Sequence, residues 1–170
     1  LKLNPNGLIP VFKDGELVLY EAAAISLHLA DRHPEAGLAP SLATKERAHF
    51  YKWLLWMATT LHPALSNYLH PGKWTGDEAA QARLRAGAEE RVAALFDIID
   101  AEIASHGSPW LLGESYSLLD AYAFVLCRWS RRMARPGVTW PNFGPYAKRV
   151  SERPAVLRAL EAERLAEPWI

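Results

Sequence analysis

The sequence predicts an α/β piece joined to an all-helical unit. Three observations carry that expectation. A short hairpin pattern occupies residues 8–20, only helical periodicities follow Glu21, and a linker rich in Pro and Gly separates the first helix from the rest. The corresponding boundaries are 1–34 for the partial α/β unit, 35–43 for the linker and 44–170 for the helical unit.

Each element has a local cause. Leu8-Ile9-Pro10-Val11-Phe12 is apolar, Asp14-Gly15 is a turn signal, and Leu17-Val18-Leu19 returns the chain. Pro10 cannot donate to a strand ladder, so it belongs at the start of a strand or carries a cis bond that bends the entry. Two strands alone are marginal in water, so further strands are expected to complete the sheet. The start Leu1-Lys2-Leu3 is neither a signal peptide nor an initiator methionine, and residues are expected upstream.

Ala23, Ala24, Leu27, His28 and Ala30 read as a helix ending near His33-Pro34. A long helix begins near Thr44. Phe50, Trp53, Leu54, Met57 and Leu61 form its buried stripe, and Pro63 is expected to kink it, freeing the Thr59 carbonyl. The next helix starts near Asp77, buries Val92, Leu95, Phe96, Ile99 and Ile103, and stops at Gly107. Ser117-Leu118-Leu119-Asp120 has capping-box spacing for a fourth. Shorter helices are expected near Asn142–Ser151 and Pro154–Glu163.

Composition narrows the function. The 19 Lys and Arg balance the 19 Asp and Glu, so no net field draws nucleic acid or an anionic membrane. Arg128, Arg131, Arg132 and Arg135 read as a solvated helix end. No apolar run reaches membrane-spanning length. The single Cys127 allows no internal disulfide, which suits a reducing, cytoplasmic setting. It sits among Val125, Leu126 and Trp129 and reads as a small buried hydrophobe. No His and Cys spacing matches a metal site.

The order of pieces resembles the glutathione transferase family. Asn6-Gly7-Leu8-Ile9-Pro10-Val11-Phe12 resembles the family's cis-proline loop. Leu19-Tyr20-Glu21-Ala22-Ala23-Ala24-Ile25 resembles the turn that holds the γ-glutamyl end of glutathione, and 113–122 resembles the helix-capping signature of the family's second domain. Three further segments, 53–62, 120–129 and 151–156, are similar to the bacterial beta class. The resemblance implies the C-terminal part of a thioredoxin-like domain followed by an all-helical domain. It also implies a preceding segment of about 45 residues, a βαβ unit plus a helix, which would hold the thiol-activating residue.

Glutathione is the substrate implied, with a small hydrophobic electrophile and a homodimeric partner. By resemblance Glu21 pairs with the γ-glutamyl ammonium, although an acidic residue at a helix start also suits the dipole. Ala22 replaces the usual serine, leaving only its backbone amide for the carboxylate. Ile9 presents its backbone to the cysteinyl unit, with Pro10 holding the geometry. His62 lies near the sulfur, where a donor stabilises a thiolate, or else packs on the Pro63 kink and bonds a freed carbonyl. Met57, Tyr122 and Trp129 are candidate walls for the electrophile, although residues at such helical spacing are more often core. The stretch Phe50–Trp56 offers an aromatic dimer contact. Two other readings remain: a non-catalytic binding or dimerisation module, and a helical interaction fragment.

Overall fold

The computed structural model describes residues 2–170; Leu1, the first residue of the start segment and of the 1–34 unit, lies outside them. Strands β1 (Val11–Asp14) and β2 (Leu17–Tyr20) pair antiparallel with Val11 opposite Tyr20. The turn is Gly15-Glu16, and Gly15 takes φ 58°, which a residue with a Cβ adopts at a cost. The hairpin is shorter than the apolar run suggests. Leu8, Ile9 and Pro10 lie outside the ladder, because Pro10 lacks the amide to extend it. The Ile9–Pro10 bond is cis.

Helix α1 (Ala22–Arg32) packs back on the hairpin, and residues Pro34–Ala36 form a single 3-10 turn. Helix α2 (Lys45–Trp56) starts where Thr44 Oγ1 accepts the Arg47 amide at 3.1 Å. Helix α3 (His62–Leu69) continues its path through a wide π turn at Met57–Leu61. The kink expected at Pro63 takes this form: the His62 amide donates to the Met57 carbonyl, five residues back, and the wider turn precedes the ring of Pro63.

Helices α4 (Glu78–His106), α5 (Leu118–Trp129), α6 (Phe143–Ser151) and α7 (Pro154–Ala162) complete the bundle. Its core runs from Phe50, Trp53, Leu54, Met57 and Leu61 across Val92, Phe96 and Ile99 to Leu119, Phe124, Phe143 and Val150. The stripes expected on α2 and α4 are therefore the buried faces. Phe50 and Trp53 are core rather than dimer contacts. On α2 it is Tyr51 and Leu55 that are exposed. Arg128 closes α5 and Arg131 and Arg132 follow in a 3-10 turn, but Arg135 is not on a helix end. Its guanidinium lies 3.6 Å from the Trp140 ring centroid.

Two buried carboxylates and one buried cation hold the elements together. The capping box at Ser117 is present, and Asp120 does more than close it. Its side chain accepts from the Ser117 amide at 2.7 Å, the Leu111 amide at 2.9 Å and the Tyr146 hydroxyl at 2.7 Å. It thereby ties the start of α5 to the preceding loop and to α6. Asp100, on α4, accepts from the amides of Asn142 and Phe143 and from the Asn142 side chain, each at 2.8 Å, and so caps α6 from another helix. Arg47, 3 % exposed, donates to Asp31 of α1 at 2.6 Å and to the Pro40 carbonyl at 2.9 Å.

Replacing Asp120 with Ala leaves buried donors without acceptors, and a loss of about 3–5 kcal/mol is expected. Urea unfolding followed by circular dichroism measures it, and an unchanged midpoint would refute the tie. Asp100 makes a pH-dependent contribution. Burial pushes its carboxyl up, but the hydrogen bonds from Asn142 and Phe143 and the charge of Arg135 outweigh this and hold it below the ordinary value. A lowered folded pKa means that the stabilisation is complete above the unfolded value and is lost as pH falls through the folded one. Stability should therefore decline on acidification below about pH 5, and the decline should be shallower in Asp100→Asn, read from urea midpoints across that range.

Candidate functional site

A cleft of about 560 Å³ opens between the hairpin–α1 unit and the helices. One wall comes from Asn4, Leu8, Ile9, Pro10 and the start of α1; the other comes from α3, α5 and the turn after α3. A second lobe of about 400 Å³ shares Ile9, Pro10, Ala22, His62, Tyr122 and Trp129 with it. That lobe continues between α1 and α5 along Leu118, Val125 and Leu126.

The first wall is set by local backbone chemistry. Buried Asn4 donates to the Leu8 carbonyl at 2.8 Å, while its oxygen accepts the Asn6 amide at 2.9 Å. That cross-brace rounds the loop and leaves Ile9 92 % exposed beside the cleft. Glu21 follows at φ 74°, a left-handed backbone conformation that costs a non-glycine residue about 1–3 kcal/mol. It stands at the N-cap of α1, yet its side chain makes no capping hydrogen bond. The carboxylate is therefore not spent on the helix, and Ala22 and Ala23, whose amides have no acceptor within the helix, line the cleft.

The second wall begins at the π turn. His62 Nδ1 stands 3.5 Å from the Tyr122 hydroxyl, a weak contact, and the imidazole meets Trp129 edge to face at 4.9 Å between centroids. Burial lowers the His62 pKa, and the charge of Glu21 partly opposes this by raising it. Burial also raises the Tyr122 hydroxyl, reinforced by Glu21. His62 is therefore largely neutral at pH 7, a neutral imidazole beside a protonated phenol, facing a carboxylate across the cleft.

Seven of the eight residues singled out from the sequence line this space: Ile9, Pro10, Glu21, Ala22, His62, Tyr122 and Trp129. Met57 does not. It is 0 % exposed in the π turn, packed in the core, and lines neither lobe. Cys127 is likewise buried, and burial pushes its thiol up to about 12, consistent with an inert packing residue. No cluster of His, Cys, Asp and Glu suited to a metal occurs among the described residues. Nor is any described helix long and apolar enough to cross a membrane.

Sequence reasoning overlooked Ser66, Asn67, His70, Lys73 and Trp74, which extend the second wall. A signal was present: His62, Ser66 and His70 recur every four residues, a polar stripe on one face of a helix whose other face is apolar. Lys73 and Trp74 lie past the helix end, where no periodicity places them.

Hairpin, α1, bundle and cleft together define a protein of the glutathione transferase type. The family model for the glutathione S-transferase C-terminal domain matches residues 78–162. Glutathione S-transferase GstB of Escherichia coli K12 is 31 % identical over 171 residues, covering 94 % of this chain and 76 % of that protein. The structure of a sphingomonad glutathione S-transferase complexed with glutathione is 30 % identical with a TM-score of 0.83, over 97 % of this chain and 78 % of the other. A beta-class glutathione S-transferase from Sphingomonas chungbukensis is similar with the same identity, TM-score and coverage. The chain belongs to the glutathione S-transferase family.

The electrostatics carry a prediction. His62 should titrate below the ordinary histidine value of about 6.5. Glu21→Gln removes a charge that raises it, so the His62 pKa should fall further. Imidazole proton shifts recorded by NMR across pH read both values, and an unchanged or higher pKa in the variant would contradict the assignment.

Proposed function

We propose that the protein is a glutathione transferase that binds glutathione in the cleft and joins its thiol sulfur to a small hydrophobic electrophile. The observation that supports this most is the convergence of Ile9, Pro10, Glu21 and Ala22 on one wall with His62, Tyr122 and Trp129 on the other. The unspent Glu21 carboxylate suits the γ-glutamyl ammonium. The α1 amides at Ala22 and Ala23 suit the neighbouring carboxylate, since an unsatisfied helix start is an anion site. The exposed backbone at Ile9 suits the cysteinyl unit as an added strand.

The attacking species is the thiolate. Neutral His62 offers one N–H. A neutral donor aimed at sulfur stabilises developing charge without the cost of burying a cation. The lobe beneath, lined by Leu118, Val125, Leu126 and Trp129, suits an apolar electrophile held beside the sulfur. Sulfur then forms the new bond and the leaving group departs with the electron pair. In this reading Met57 is a core residue that does not touch substrate. The protein works in the cytoplasm as a homodimer, for which the exposed Tyr51 and Leu55 on α2 offer a contact.

Ala22 favours a second reading. An alanine in place of a hydroxyl-bearing residue gives up one hydrogen bond to glutathione, and a non-catalytic glutathione-binding module tolerates that loss better than an enzyme does.

Calorimetric titration with glutathione tests binding. Saturable binding is expected, weakened about tenfold by Glu21→Gln through loss of one charge-assisted contact. No binding at millimolar glutathione would overturn the proposal. Turnover of a halonitrobenzene by the same protein separates transferase from binding module.

A further inference from the structure

The cleft has a part that glutathione and a purely apolar electrophile leave unexplained. Beyond His62 its wall carries Asn67, His70, Lys73 and Trp74, the last 70 % exposed. Among the described residues Glu21 is the single carboxylate along the cleft, and it stands on the opposite wall. Lys73 takes part in none of the salt bridges of the described residues.

Lys73 and Trp74 sit on a braced turn rather than a loose loop. Pro71 is buried, the Lys73 amide donates to the His70 carbonyl at 3.1 Å, and the Trp74 amide donates to the Pro71 carbonyl at 3.0 Å. Gln81 of α4 closes the turn from behind. Its side chain donates to the Thr75 carbonyl at 2.9 Å and lies 3.6 Å from where a Cβ on Gly72 would stand. An exposed indole on a braced backbone, beside a free ammonium and amide donors, matches a planar ring bearing an anion.

We infer that Lys73 and Trp74 form a recognition site for an aromatic electrophile carrying a carboxylate or sulfonate, with the ring on Trp74 and the anion at Lys73. The inference rests on the glutathione reading of the cleft and adds the chemical class of the second substrate. An apolar lobe discriminates weakly between similar hydrophobes, and an ion pair at exposed Lys73 adds a modest, salt-sensitive preference for anionic rings. The anion held at Lys73 has another possible source, the glycyl carboxylate of glutathione itself, and the test separates the two.

Dissociation constants for glutathione, S-benzylglutathione and S-(4-carboxybenzyl)glutathione are measured by calorimetry on the full chain at low salt. The carboxybenzyl conjugate is expected to bind about threefold to fivefold tighter than the benzyl conjugate, an advantage that shrinks at high salt. Lys73→Gln should abolish that ratio and Lys73→Glu should invert it. Trp74→Ala should weaken both conjugates relative to glutathione. An equal affinity for the two conjugates overturns the inference while leaving glutathione binding intact. So does a ratio that Lys73→Gln leaves unchanged while all three ligands weaken, because the lysine then holds the glycyl carboxylate. Failure of all three ligands to bind overturns the glutathione reading and the inference together.

Discussion

The cleft exists only while the hairpin–α1 unit keeps a fixed position against the bundle, and buried Arg47 is the constraint on that position. Its guanidinium reaches Asp31 on α1 and the Pro40 carbonyl in the linker, while its stem belongs to α2. One planar fork thus spans three segments that share no regular secondary structure. An arginine suits this role because its donors diverge in a rigid plane. The linker is fastened a second time where the Leu118 amide donates to the Leu38 carbonyl at 2.9 Å, directly at the start of α5. The wall that carries Tyr122 is therefore registered against the wall that carries Glu21 through the linker and through the packing of Ala30, Ala23 and Leu27 of α1 on the helical core. The cleft interior remains free for ligand.

A second constraint follows along α5. Asp120 holds the first turn of that helix, and Tyr122 and Trp129 project from the same rigid rod. On the facing side the π turn rotates the chain just before His62. A regular helix would have carried the stripe of Phe50, Trp53, Met57 and Leu61 onward at constant phase. The inserted residue shifts that phase, so that Leu61 stays in the core while His62 comes out beside Trp129. Pro63 makes the wide turn the cheaper solution, because it has no amide to lose. The helix defect that looked like a cost in the sequence is what places the imidazole.

The sequence made most of the elements legible because their signals are local. Thr44, Asp77 and Ser117 each cap a helix that begins on the following residue, and Gly107 ends α4 in the left-handed conformation its lack of a Cβ allows. The apolar stripes named the core. What stayed hidden is relational. Nothing about Asp100 in an amphipathic helix says that it will cap α6 some 42 residues on, and nothing about Arg47 says that it will be buried. Met57 shows the converse limit. Its spacing fits a stripe and its chemistry fits a pocket, and only the packing of the π turn decides that it belongs to the core. Glu21 was legible as a residue type and by resemblance, but its strained backbone was not, since φ depends on how the hairpin must turn into α1.

The two walls differ in chemistry, and that difference limits what can bind between them. The first offers mostly backbone: the loop braced by Asn4, the exposed Ile9 and the open start of α1, with Glu21 as its one charge. Backbone groups recognise a peptide-like ligand of fixed shape, which suits an invariant substrate. The second offers side chains on helices and on a braced turn, which vary without disturbing the fold. Burial lowers the His62 pKa there, and the lysine along that wall is Lys73, on the turn past α3. In the proposed reading that cation acts on the choice of electrophile rather than on the thiolate. In the same reading, the thiol-bearing ligand meets mostly backbone and Glu21 on the first wall, and the electrophile meets side chains on the second.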